Sequence, residues 1–171
     1  MEHEALGSVA GAVLGQRSVL VIFAVGAVLL GSASWLVAHR RGWRRVPAVL
    51  AGVSLALALS VTQGRQPFQF VELNFSACAL TSGAAGLNEA ALNVAMLMPL
   101  GLFAALATGR IVGAVLFCVA TSVVFEVAQG MFDTGSCVGQ DVLSNSIGGA
   151  CAAVVGGVVA RRWLQRPQRA T

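Results

Sequence analysis

Five stretches of this chain are predominantly apolar for long enough to cross a bilayer. They lie near residues 18–38, 46–62, 91–109, 111–130 and 142–160. A spanning helix needs about 20 predominantly apolar residues, whereas a membrane β-strand alternates apolar and polar positions over about ten. Because lipid offers no partner for backbone donors and acceptors, continuous runs of this length read as helices that satisfy their own backbone. The pattern predicts an all-α polytopic transmembrane bundle of about five spans, forming a single membrane domain over residues 1–171. A shorter Gly-containing run, Ala5 to Gly15, reads as an interfacial approach to the first span.

Composition agrees with this solvent. The 171 residues are 57% hydrophobic and 11% charged, with a mean hydropathy of +0.80, against about 25% charged residues in a water-soluble domain. The net charge of +4 acquires meaning only when the basic residues are placed. All eleven are arginine, a usage that suits a GC-rich bacterial genome. Arg40, Arg41, Arg44 and Arg45 fill the first connection, Arg110 the third, and Arg161, Arg162, Arg166 and Arg169 the C-terminal tail, leaving Arg17 and Arg65 in the alternate segments. By the positive-inside rule the richer side is cytoplasmic. The N-terminus is therefore expected outside and the C-terminus inside. The opening MEHEALGS is acidic where a signal peptide is basic, so the first span is expected to be retained. Trp43 and Trp163 stand among the arginines, where aromatic rings anchor at the headgroup layer.

The acids collect on the other side. Glu72, Glu89, Asp133 and Asp141 fall in or beside the outer segments, and Glu126 near the outer end of the fourth span. Polar side chains inside a membrane are costly and usually face a bundle interior or cavity, and three consecutive spans carry them. Asn93 opens the third; Glu126 and Gln129 are i and i+3 on the fourth, with Ser122 and Cys118 continuing their stripe; Asp141, Asn145 and Gly148 are i, i+4 and i+7 on the fifth. Gly149, Ala153 and Gly157 form a small-residue ridge that admits a close neighbour. Pro99 removes the donor that would bond to Ala95, so a bend is expected in the third helix.

The ordered series Asn93 with Pro99, Leu100 and Gly101, then Glu126 and Gln129, then Asp141, Asn145 and Gly148 resembles the VanZ-like family of bacterial membrane proteins over roughly residues 88–157. The resemblance implies a multi-pass protein of the bacterial cell membrane with a role in the cell envelope, in a family associated with low-level resistance to the glycopeptide teicoplanin. One departure stands out: the family carries an Arg shortly before the Asp of its last motif, where this chain has Gly135 or Ser136.

Plainer readings of the same residues remain open. Glu126 could serve only a hydrogen bond between helices, to Gln129 or Asn145; Asn93 and Asn145 could be caps or interhelical glue; Asp141 could be the N-cap or first-turn acid of the last span. Pro99, Gly101, Gly148 and Gly149 are read as packing positions. Known catalytic arrangements are missing from the sequence. His3 and His39 fall on opposite sides, no CxxC pair or nucleotide loop is present, and no cofactor or metal is called for. The preferred expectation is a binding role, in which the outer polar cluster engages membrane lipid, a cell-wall precursor or an amphiphilic antibiotic. An enzyme acting on a lipid-linked envelope substrate, with Glu126 as general acid or base, is the alternative; transport is disfavoured by five spans without an inverted repeat. No nucleic-acid partner is indicated, and a homo-oligomer is left open. Cys78 and Cys137 both fall in outer connections and are expected to form a disulfide across the site, while Cys118 and Cys151 lie within spans.

Overall fold

The structure, a computed structural model, describes residues 16–64, 87–132 and 138–164. The Ala5 to Gly15 run, Glu72, Cys78, Asp133 and Cys137 lie outside the described residues, as does the segment of Gly135 and Ser136. The described chain is helical throughout: α1 (Arg17–Arg41), α2 (Arg45–Gln63), α3 (Leu87–Met96), α4 (Met98–Thr108), α5 (Ile111–Phe132) and α6 (Gly139–Leu164). With α3 and α4 taken together, five helices are long and apolar enough to cross a membrane.

The third span is divided where Pro99 stands. Leu97 interrupts the helix, α4 restarts at Met98 with the proline in its first turn, and the N–H of Gly101 picks up the Leu97 carbonyl at 3.0 Å. A proline is tolerated in a first turn because its missing donor would have been unpaired there anyway. The break falls on Leu97, fully buried among Leu100, Cys118 and Phe125, so the freed backbone is shielded from lipid by protein. Two tight connections close with left-handed glycines. Gly42 (φ 67°) ends α1 and Gly109 (φ 70°) ends α4, each donating its N–H back to the helix it terminates.

Packing depends on small residues. With lipid as apolar as leucine, helices associate through close contact rather than through a hydrophobic drive. The α6 helix is central, lying against α3, α4 and α5, while α1 packs chiefly on α2. A methyl group on Gly148 would strike the Val94 carbonyl of α3, one on Gly101 the backbone of Gly149, and one on Gly156 the Leu102 carbonyl of α4. The contact with the third span is thus built on Gly148, Gly149 and Gly156. The ridge read from the sequence at Gly149, Ala153 and Gly157 looks partly elsewhere: Gly149 also meets Cys118 of α5, its Cβ position 2.7 Å from that of the cysteine, and Gly157 faces Ile111. Both neighbours press on one glycine-rich face.

The two ends of the bundle differ in chemistry. At one, the α1–α2 turn, the α4–α5 turn and the end of α6 come together: the Arg44 N–H donates to the Ala107 carbonyl (3.2 Å), its guanidinium to the Ala160 carbonyl (3.4 Å), and the same guanidinium lies 5.5 Å from the Trp163 ring. Trp43 packs there on Ala38, Ala48 and Ala107, so it fills the bundle end as well as offering an interfacial ring. Cations beside these carbonyl-rich helix ends complement the helix dipoles. The opposite end holds Ser18, which donates to the Gly64 carbonyl at 2.7 Å and ties α1 to α2, and the acids Glu126 and Asp141.

Candidate functional site

The polar side chains singled out in the sequence fall at the end of the bundle away from the arginine-rich turns. On α5, Cys118, Ser122 and Glu126 recur every fourth residue and are all buried. On α6, Asp141 occupies the first turn and Asn145 the next, on the same face. On α3, Asn93 is half-buried in the middle of the helix.

Asn93 and Asp141 are joined directly: the amide Nδ2 donates to the carboxylate Oδ1 at 2.6 Å, linking the third span to the fifth. Glu126 is only 4% exposed, and its Oε2 accepts the backbone N–H of Val138 at 3.0 Å. Val138 immediately precedes α6, whose opening N–H groups have no partner within the helix; the fourth span therefore caps the fifth from the side. Ser122 adds a second tie, donating to the Val142 carbonyl at 3.3 Å. Two carboxylates thus sit against the positive end of the α6 dipole, where negative charge is favoured. No cation bridges Glu126 among the described residues.

Asn145 is different. It is 1% exposed, makes no side-chain hydrogen bond among the described residues, and leaves its Oδ1 without a partner; the hydroxyl of adjacent Ser146 is likewise buried and unpartnered. An unmade hydrogen bond in a buried group costs about 1–3 kcal/mol. Gln129, one turn beyond Glu126, is half-buried and makes no side-chain hydrogen bond among the described residues. The structure therefore ties Asn93, Glu126 and Ser122 to the first turns of α6, Asn93 through Asp141 and the other two through backbone groups, places Asn145 one turn deeper on the same face of α6, and gives Gln129 no such tie among the described residues.

Several plain alternatives are decided by this geometry. Neither Asn93 nor Asn145 caps a helix, since both lie inside one. Asp141 is the first-turn acid of α6 rather than its N-cap. Glu126 bonds to the backbone of Val138, neither to Gln129 nor to Asn145. One contributor was missed: Gln63 at the end of α2 is buried, 4% exposed, with its amide 3.5 Å from the Phe125 carbonyl. Its signal was the polar ending Ser60, Thr62 and Gln63 of the second span, all three buried, which reads in sequence as the start of a connection.

A bundle of five membrane-crossing helices, with acids and amides gathered near one end and most of the arginines at the other, defines a polytopic helical membrane protein with a polar interhelical cluster. The chain belongs to the VanZ/LLP1 family, whose model matches residues 62–160. That stretch begins in the last turn of α2, takes in the whole polar cluster, and ends in the last turns of α6. No curated protein and no solved structure matches the chain.

Proposed function

We propose that this VanZ/LLP1 protein is a binding protein of the bacterial cell envelope, taking the polar head of an amphiphile at the cluster of Asn93, Glu126, Asp141 and Asn145. The observation that carries this reading is a set of buried acceptors with no arginine beside them on the same three helices. Two carboxylates and an orphaned amide oxygen converge near one end of three spans, and no arginine shares that end of α3, α5 or α6. Buried acceptors of this kind favour hydrogen-bond donors such as sugar hydroxyls, peptide N–H groups or an ammonium, and disfavour a bare phosphate. A glycan- and peptide-bearing cell-wall precursor or a glycopeptide antibiotic has such donors, attached to an apolar anchor. The positive-inside rule supports an outer-leaflet position for the cluster, where both kinds of ligand are encountered, and a contribution to teicoplanin resistance would follow from holding either one.

The test is binding of a lipid-linked cell-wall precursor, and separately of teicoplanin, to the protein in nanodiscs. Loss of one charge-assisted hydrogen bond is worth about 1.5–3 kcal/mol, so Asp141→Asn and Glu126→Gln should each weaken binding by roughly ten- to a hundredfold. Unchanged affinity in both variants would remove the cluster from recognition. The enzyme alternative makes a different demand on Glu126→Gln: turnover of a lipid-linked substrate by the wild type, abolished in the variant while binding persists, would replace the binding reading with general acid–base catalysis.

A further inference from the structure

An open groove of about 660 Å³ runs along the outside of the bundle between α1 and α2, lined by Ala27, Gly31, Ser32, Trp35 and Leu36 of α1 and by Val49 of α2. Its lining is apolar apart from Ser32 and the Trp35 indole N–H. At its upper end the surroundings change. The Trp35 ring stacks on His39, centroids 5.6 Å apart, and the Arg45 guanidinium sits 5.8 Å from the Trp35 centroid while donating to His39 Nδ1 at 2.9 Å. Arg40 and Arg41 are exposed on the same final turns of α1. None of the seven acidic residues of the chain lies in the first or third connection or in the C-terminal tail, so no acidic side chain offsets this cationic end.

We propose that this groove is a binding site for one anionic glycerophospholipid of the cytoplasmic leaflet, an acyl chain lying along Ala27 to Leu36 and the headgroup phosphate on Arg45. Length supports the assignment: the ten residues from Ala27 to Leu36 span about 14 Å of helix, close to the roughly 15 Å of one leaflet's hydrocarbon. Charge supports it as well. Arg45 spends one N–H on His39 and keeps others in its planar fork, which suits phosphate oxygens. The Trp35–His39–Arg45 stack fixes that fork at the mouth of the groove, so the cation is held in place before a lipid arrives. Gly31 makes the floor, its Cβ position 3.7 Å from Val49 and Val53. This site is independent of the donor-binding cluster at the other end and has the opposite preference.

Native mass spectrometry of the detergent-purified chain, titrated with phosphatidylglycerol or phosphatidylcholine, tests the proposal. One phosphatidylglycerol per chain should survive activation that strips phosphatidylcholine. Arg45→Gln and Ser32→Leu should each reduce that retention at least fivefold; the second change fills the groove from an exposed position, and unchanged far-ultraviolet circular dichroism confirms that the helices persist. Arg110→Gln, which removes a charge from the α4–α5 turn, should leave retention unchanged. Equal retention of the two lipids, retention unaffected by either groove variant, or an equal loss with Arg110→Gln would overturn the site. So would a chain dimer that excludes the lipid and is lost in Ser32→Leu, since the occupant would then be a second copy. As an independent readout, phosphatidylglycerol brominated on its acyl chain should quench Trp35 fluorescence in a Trp43→Phe, Trp163→Phe background, and absence of quenching counts against the proposal.

Discussion

Replacing Gly148 by alanine asks whether the third span and α6 touch backbone to backbone. The added methyl would be driven into the Val94 carbonyl oxygen, which is held within α3 and cannot rotate aside as a side chain could. Overpacking against mobile side chains typically costs about 1–3 kcal/mol; a backbone obstacle puts Gly148→Ala at or above the top of that range, about 3 kcal/mol. Gly113→Ala is the control within the same protein. That glycine is exposed, and the nearest atom to its added methyl is Arg110 Cβ at 3.8 Å, so only the helix-propensity gain of about 0.5–1 kcal/mol remains. The two single-methyl variants should therefore differ by roughly 4 kcal/mol, close to a thousandfold in the folding equilibrium. Unfolding in mixed micelles by titration with dodecyl sulfate measures this difference. Equal stability of the two variants would refute the close packing of α3 on α6, and with it the geometry that brings Asn93 to Asp141.

Three further expectations follow. A double-mutant cycle on Asn93→Ala and Asp141→Ala should give a coupling of about 1 kcal/mol, within the range of interhelical hydrogen bonds in membranes, and a coupling near zero would dissolve the pair. Reporter fusions should place the C-terminus in the cytoplasm and the N-terminus outside; matching locations would contradict an odd number of spans. If Cys78 and Cys137 form the disulfide expected of two outer connections, unreduced protein should yield fewer alkylatable thiols than reduced protein, and reduction should cost on the order of 4 kcal/mol for a closed loop of about sixty residues.

Much of the fold was legible because lipid imposes a coarse and strict rule. Each span boundary coincides with an arginine, a glycine or the end of an apolar run, and the helices start and stop within a few residues of those marks. A bend in the third span was readable from Pro99, since the loss of a backbone donor is a local fact, and it takes the form of a break at Leu97. Partners were less legible. Periodicity assigned Gly149 and Gly157 to a packing face but could not say that the face meets two helices, with Gly148 and Gly156 serving the third span and Gly157 serving α5. Gln63 was missed for a related reason. A polar residue at the end of an apolar run looks like the first residue of a loop, and only the packing of α2 against its neighbours buries it. Glu126 was found by its cost, yet its partner, the backbone N–H of Val138, carries no mark in any sequence.

Asn145 offers the sharpest separation between a site and mere interhelical glue. A side chain present only to hold helices together makes the bonds that justify its burial, and Asn93 does so with Asp141. Asn145 is only 1% exposed and makes no such bond among the described residues, so its burial costs stability. Leucine has the same number of side-chain heavy atoms as asparagine, branched at the same carbon, and needs no partner. The Asn145→Leu variant should therefore unfold later than the wild type, by about 1–2 kcal/mol once the orphaned amide is gone, while losing affinity for a donor-bearing amphiphile. Stability gained together with binding lost is the signature of a group held in a strained state for function. If Asn145→Leu instead destabilises by more than 1 kcal/mol, the amide is satisfied in the membrane and belongs to the scaffold, and recognition must rest on Glu126 and Asp141 alone.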